Sequence, residues 1–329
     1  MSSCNDWAPL KEIIVGTAKT YNTPKLSRSF HKTQFPEYNE EDIPVGPYPD
    51  WVIEEAEEDL NIFADTLEAL GVVVHRPDIS YAEETNNWHY YSPRDCTLIV
   101  GNKIIETPSP NINRRYETWG YRNIFESLHE RGYEWIKAPT PILFDESFEE
   151  DTRGVHSLRN NEILFEAANC VRVNGNILFQ ISNTGNEKGA QWLQDVLKNH
   201  KIHLCENLYS YAHLDSTIIP LREGLVMYNA SRVNEENEPK IFKSWDKIWI
   251  DECYSASNKT ELPWGASAWI GLNLLSVNPN LAIVDRKQKQ LIQKLKKHKI
   301  EAIPLELRHD RIISGGFHCV TLDLSRKAT

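Results

Sequence analysis

The sequence predicts an α/β fold in which hairpin-plus-helix units repeat around a centre, as in a propeller. Three observations predict it. Short β-rich runs recur, each broken near its middle by a turn pair. Amphipathic helical stretches lie between them. The turns fall near residues 102, 174, 223 and 278, spacings of 72, 49 and 55, each long enough for a hairpin, a helix and a further strand. A doubly wound sheet is the competing fold, but it joins parallel strands through helices rather than hairpins.

Taken in order, residues 51–70 carry apolar side chains at helical intervals and stop before Gly71. Residues 98–106 (LIVGNKIIE) read as a hairpin and 116–129 as a helix. Residues 170–179 form the clearest hairpin, because Asn174-Gly175 suits a type I′ turn, whose two central residues both need positive φ. A helix over 187–199 follows, then a hairpin over 218–228 turning at Glu223-Gly224, and another over 275–284 around Asn278-Pro279. The run 286–298 (RKQKQLIQKLKKH) is basic, but Leu291, Ile292 and Leu295 have helical spacing, so it reads as a helix with a solvated cationic face. Residues 320–324 make the final strand.

Composition narrows the function. A length of 329 residues suits two average domains or one large α/β unit, and no Gly/Ser-rich, Pro-rich or low-complexity tract divides the chain, so one domain over residues 1–329 is expected. A net charge of -11 argues against nucleic acid as a partner. The six cysteines, at 4, 96, 170, 205, 253 and 319, show no CxxC and no paired spacing, against both a disulfide framework and a structural zinc site. The N-terminus has neither the charged nor the apolar region of a signal peptide, and the longest apolar stretch, 268–277, contains Asn273 and is too short to cross a bilayer. A cytoplasmic protein with no membrane partner is expected. Neither GxGxxG nor GxxxxGK[ST] occurs, and no cofactor is expected.

The chemistry gathers around Gly315-Gly316-Phe317-His318-Cys319, one thiol in a turn loosened by glycines. Alone, such a cysteine is more often buried packing than a nucleophile. About a hundred residues upstream, His213-Leu214-Asp215 offers the imidazole and carboxylate that a cysteine nucleophile uses. Asp95 precedes the first hairpin, Glu166 the second, His213 and Asp215 the third, and Cys319 the last strand. In a radial fold equivalent positions converge on the axis, which would bring together a thiol, an imidazole and three carboxylates. Such an acidic hole suits a cation, and a guanidinium, planar with five N–H donors, fits it well. The carboxylates would raise the thiol pKa, so a thiolate needs protonated His213 or the substrate's own charge. A metal held by the His and Asp/Glu groups is the rival reading, although no HExxH or similar ligand spacing is present.

These segments resemble the amidinotransferases. The resemblance runs nearly end to end: Trp7 through Gly16, Pro93-Arg94-Asp95, residues 104–108 and 165–169, His213-Leu214-Asp215, residues 229–232 and 269–273, and Gly315 to Cys319. Within that family it is closest to the inosamine-phosphate amidinotransferases, through residues 185–193, 215–222 and 231–237. The resemblance implies a five-bladed α/β-propeller and transfer of the amidino group of L-arginine to an acceptor amine through a covalent amidino-cysteine. It implies Cys319 as nucleophile, His213 as general acid/base and Glu166 as the group that orients the histidine. Asp95 and Asp215 would grip the guanidinium, Arg232 would bind the donor α-carboxylate, and Ser267 would line the same pocket. An aminocyclitol phosphate acceptor would call for basic groups at the mouth, with Arg114, Arg115 and Arg222 as candidates. A homodimer stays open. Two departures stand out. The family usually carries Asp where this chain has Glu166, whereas guanidine-hydrolysing relatives of the same fold use Glu there, which keeps hydrolysis to a ureido product and a silent binding protein as alternatives. The chain also stops ten residues after Cys319, a shorter tail than usual.

Overall fold

The computed structural model describes residues 3–85, 88–149, 157–255, 260 and 262–327. Five three-stranded sheets form the blades of a propeller. In each, two antiparallel strands are followed by a third that runs parallel to the second. Blade two is Thr97–Val100, Lys103–Glu106 and Glu134–Lys137; blade three is Cys170–Val173, Asn176–Gln180 and Lys201–Cys205. Blade four is Ile218–Arg222, Leu225–Asn229 and Asp246–Ile250; blade five is Leu275–Asn278, Leu281–Asp285 and Glu301–Leu305. Blade one closes the ring with strands from both ends of the chain: Thr321–Arg326 pairs antiparallel with Leu10–Val15, which pairs parallel with Val73–His75.

A parallel third strand needs a crossover, and the helices Asp50–Ala69, Arg122–Glu130, Glu187–Val196 and Lys289–Lys297 supply four of them. The blade-four crossover carries only the short 3-10 turn Lys240–Phe242. Asn174 (φ 38°) and Gly175 (φ 72°) both have the positive φ that a type I′ turn needs. The expected 116–129 helix is divided into the 3-10 turn Glu117–Tyr121 and the helix from Arg122. Gly120 packs so closely on the Tyr90 ring that an added Cβ would lie 2.6 Å from it. In the basic helix Leu291 and Leu295 are buried and the lysines face out, as its spacing predicted.

First strands such as Thr97–Val100, Cys170–Val173 and Thr321–Arg326 are buried throughout, whereas third strands such as Val73–His75 and Glu134–Lys137 hold no fully buried residue. First strands therefore lie at the axis and third strands at the rim. The apolar core is divided by blade boundary: Ile14 and Leu322 meet Ile99 and Ile104, Leu98 and Ile105 meet Ile177 and Phe179, and Val171 meets Ile218 and Val226. Leu225 and Met227 meet Ala282 and Val284, and Ile13 and Val15 meet Leu275 and Ile283. Burial of these five interfaces drives ring closure. Behind the site, buried Asp323 accepts from Arg94 (2.7 Å), Arg172 (2.6 Å) and Arg326 (2.8 Å), tying the arginines of different blades into one ionic knot.

Candidate active site

Every blade is preceded by a short turn at the axis, and these turns carry the polar groups. Cys319 comes before Thr321–Arg326, Asp95 before Thr97–Val100, Glu166 before Cys170–Val173, and His213 with Asp215 before Ile218–Arg222. All five line one cavity of about 360 Å³.

Blade five has its own residue at the equivalent place, Asn273, two positions before Leu275. Its Oδ1 accepts from the backbone N–H groups of His318 (2.9 Å) and Cys319 (2.9 Å), and so fixes the turn that carries the thiol. Gly316 is what permits this approach, since an added Cβ would lie 2.7 Å from Asn273 Cβ. Neither Gly315 nor Gly316 has positive φ, whereas Ser314 does (φ 67°). The glycines thus serve close packing, not the backbone freedom that the sequence reading gave them.

Cys319 is buried, and its Sγ donates to Asp215 Oδ2 at 3.3 Å. Burial first, then the charges of Asp215 and Asp95, push the thiol pKa well above its usual value, so the resting group is a thiol. Burial alone would also raise Asp215, but the hydrogen bond from His318 Nδ1 (2.9 Å) helps hold it well below the usual carboxylate range. His318 is itself depressed by burial and by Arg94, so it serves as a neutral donor.

His213 Nε2 lies 2.6 Å from Glu166 Oε2, and its Nδ1 lies 3.6 Å from Asp95 Oδ1. Burial would lower its pKa, but Asp95 and Glu166 outweigh that and raise it to about 9, leaving an imidazolium near neutrality. Glu166 also accepts from Ser109 Oγ at 2.7 Å; against its burial, Arg114 and His213 bring it down to about 2. The extra methylene of Glu166 is therefore absorbed with the histidine contact intact. Burial raises Asp95, whose Oδ2 accepts from Arg114 Nη1 at 2.8 Å while the buried Oδ1 has no hydrogen-bond partner. Ligand atoms of Asp95, Glu166 and His213 fall within 4.8 Å of one another, a donor set that a metal could use. Asp95 Oδ2 is already taken up by Arg114 at 2.8 Å, and Glu166 Oε2 and His213 Nε2 by each other at 2.6 Å, which leaves Asp95 Oδ1 as the carboxylate oxygen of this set without a hydrogen-bond partner.

Arg232 gives Nη1 to Thr217 Oγ1 (2.7 Å) and Ser216 Oγ (3.3 Å), and Nη2 to Ser267 Oγ (3.1 Å), with its guanidinium 3.5 Å over the Tyr209 ring. Ser216, Ser267 and Tyr209 line the cavity, so both residues expected at the donor end stand beside it. The three arginines considered for the mouth lie elsewhere. Arg114 is buried at the cavity floor, bonded to Glu117 (2.7 and 3.1 Å) and Asp95. Arg115 donates to the Pro141 carbonyl, and Arg222 caps the helix end at the His298 carbonyl (2.9 Å). Sequence reasoning missed Asn273 and Ser109, and also Arg311, which lines the cavity mouth with Trp264. For Asn273 a signal existed, its position before a hairpin strand.

A five-bladed propeller with a cysteine, a histidine and three carboxylates at its axis defines the guanidino-modifying class of pentein fold. A solved dimethylarginine dimethylaminohydrolase shares the fold alone, at 17% identity, a TM-score of 0.61, and coverage of 95% of this chain and 99% of that one. No protein-family model matches the chain. The solved inosamine-phosphate amidinotransferase of Streptomyces griseus is similar at 41% identity with a TM-score of 0.94, covering 100% of this chain and 97% of that one. An inosamine-phosphate amidinotransferase of Streptomyces glaucescens is 42% identical over 98% of this chain and 95% of its own length. An L-arginine:L-lysine amidinotransferase of Pseudomonas savastanoi pv. phaseolicola is 30% identical over 99% and 94%. The chain belongs to the amidinotransferase family, whose members transfer amidino groups between small molecules. Among the described residues no helix is long and apolar enough to cross a membrane.

Proposed function

We propose that the enzyme takes the amidino group from L-arginine, holds it on Cys319, releases ornithine, and passes the group to an acceptor amine. The observation that carries this reading is the pairing of a buried thiol with Asp215 at 3.3 Å in the cavity where Asp95 Oδ1 stands buried and unbonded. Two carboxylates flanking a sulfur suit a guanidinium whose central carbon is to meet that sulfur. The name of the Pseudomonas relative, an L-arginine:L-lysine amidinotransferase, supports L-arginine as donor.

In this mechanism the arriving guanidinium offsets the charges of Asp215 and Asp95, and Cys319 gives up its proton to solvent. The thiolate attacks the guanidino carbon, forming the C–S bond. Protonated His213 donates its proton to the departing ornithine nitrogen as the C–N bond breaks. The remaining amidino-thioether is cationic and stays gripped by the carboxylates. A neutral acceptor amine then attacks, His213 takes its proton, and the C–S bond breaks to restore the thiolate. Glu166 keeps the imidazole oriented and basic throughout, and Arg232 with Ser267 takes the donor α-carboxylate. The names of the Streptomyces relatives favour an aminocyclitol phosphate as acceptor.

Incubation with L-arginine tests the reading. Ornithine and an amidino adduct on Cys319 are expected by mass spectrometry, with discharge only when an amine is added, and Cys319→Ala should yield neither. Citrulline without an amine would replace transfer by hydrolysis, and full turnover by Cys319→Ala would remove the nucleophile assignment.

A further inference from the structure

Three arginines stand at the cavity, and they are neutralised to different degrees. Arg114 at the floor is held by Glu117 and Asp95, with Glu166 at 3.5 Å. Among the described residues the Arg232 guanidinium donates to hydroxyls and lies on the Tyr209 face. Arg311 lies over the Trp264 ring at 3.8 Å, with Nη1 donating to Ser255 Oγ (2.6 Å) and Nε to the Ala266 carbonyl (3.3 Å). The neighbouring carboxylate, Asp310, spends Oδ1 on the Arg311 backbone N–H (2.8 Å), and Glu37 on the same rim accepts from Tyr211 Oη (2.5 Å). Among the described residues neither Arg232 nor Arg311 forms an ion pair, and burial depresses both guanidinium pKa values. Asp310 and Asp215 act on Arg311 and Arg232 only from beyond ion-pair distance, and a cation partly removed from water with no carboxylate bonded to its guanidinium is a place that an anion from solution completes.

The rim around Arg311 is braced. Gln34 Nε2 donates to the Gly265 carbonyl and to Ser314 Oγ, both at 3.1 Å, and Trp264 N–H donates to Tyr38 Oη at 2.9 Å. The Ala266 carbonyl meets Arg311 while the adjacent Ser267 hydroxyl meets Arg232, so one short segment separates the two cations. The donor has a single anionic group, and the proposed mechanism assigns it to Arg232. Arg311 is left over.

We infer that Arg311, seated on Trp264, is a second anion subsite that reads a phosphate or carboxylate group carried by the acceptor amine. The inference rests on the arginine-to-amine transfer proposed above. After ornithine leaves, the acceptor enters the vacated cavity with its amine toward Cys319 and its anionic group at the rim. Polycationic amines face two unneutralised guanidinium groups there and are disfavoured.

Three amines of one skeleton separate the cases: O-phosphoethanolamine, β-alanine and ethanolamine. Each is titrated calorimetrically against the full-length enzyme, and its discharge of the preformed Cys319 adduct is followed by intact-protein mass spectrometry. Wild type should bind one or both anionic amines roughly 10- to 100-fold more tightly than ethanolamine. Arg311→Met should erase that preference, and Arg311→Lys should retain part of it. A phosphate-only preference identifies a phosphoryl acceptor, and equal preference for β-alanine a carboxylate. No anionic preference in wild type, or an undiminished one in a folded Arg311→Met, overturns the inference. Failure to form any adduct from L-arginine instead removes the underlying functional reading, while the calorimetric comparison still decides whether Arg311 binds anions.

Discussion

Replacing Arg114 by Met keeps a long flexible stem and deletes the charge that holds the cavity floor together. Arg114 makes a two-pronged bond to Glu117 (2.7 and 3.1 Å) and a third to Asp95 (2.8 Å), all between buried groups. Removing one partner of a buried ionic cluster costs about 3–5 kcal/mol, because the remaining charges lose compensation without regaining water. For a 329-residue chain, unfolding entropy near the midpoint is about 0.7 kcal/mol/K, so Tm should fall by about 4–7 °C. Differential scanning calorimetry measures this directly. Glu117 is already pushed up to about 7 by burial, so it is the carboxylate most cheaply neutralised. The double variant Arg114→Met/Glu117→Gln should therefore recover at least about 1 kcal/mol of the loss. The sign with pH follows. Carboxylates left without Arg114 have folded pKa values above their unfolded ones, so falling pH stabilises the variant, and its deficit should shrink from about pH 8 to about pH 5. A Tm change under about 1 °C, or a deeper loss in the double variant, would refute the reasoning.

Glu166→Gln should lower the His213 pKa, because Glu166 is among the groups that raise it to about 9. The alkaline limb of kcat for ornithine release should then move to lower pH, with kcat reduced on the order of a hundredfold; an unchanged limb speaks against the pairing. The same shift has a stability consequence in wild type. A histidine whose folded pKa is raised from 6.5 to about 9 stabilises fully below 6.5, so stability should decline as pH rises between these values, and less in Glu166→Gln. Asp323→Asn strands the buried Arg94 and Arg326, leaves Arg172 with Asp6 as its carboxylate partner, and should cost about 3–5 kcal/mol in urea unfolding. Asp323 is held well below the usual carboxylate range against its burial, so its contribution is present above the unfolded pKa and lost as pH falls. An Asp323→Asn midpoint equal to wild type would separate the knot from stability.

Position before a hairpin strand made the site legible. Asp95, Glu166, His213, Asp215 and Cys319 are single residues far apart in the chain, yet each stands where a blade begins, and a radial fold carries all such places to the axis. Asn273 stands in that series too, but a neutral amide has no titratable chemistry to attract notice. Its role shows in folded contacts such as those with the His318 and Cys319 amides. The closing of blade one was not legible, because the pairing of Leu10–Val15 with Thr321–Arg326 joins the two ends of the chain and no local pattern encodes it. Arginine reach was illegible for a similar reason. The turn Ile112–Arg114 aims one guanidinium to the floor and Arg115 to Pro141, a choice fixed by a few backbone angles.

The electrostatics of the cavity also order the two halves of the proposed reaction. In the resting enzyme the acidic hole favours any cation, so a protonated acceptor amine competes with L-arginine for Asp95 and Asp215 and blocks the first half. Once the amidino group is on Cys319, the hole already holds its positive charge, and an ammonium is repelled. The same repulsion favours the neutral amine, the only form that can attack the amidino carbon. His213, having given its proton to ornithine, is then ready to receive one. Thiol activation and amine activation thus both follow from which cation occupies one set of carboxylates, and the alternating kinetics of the proposed transfer need no moving part in the protein.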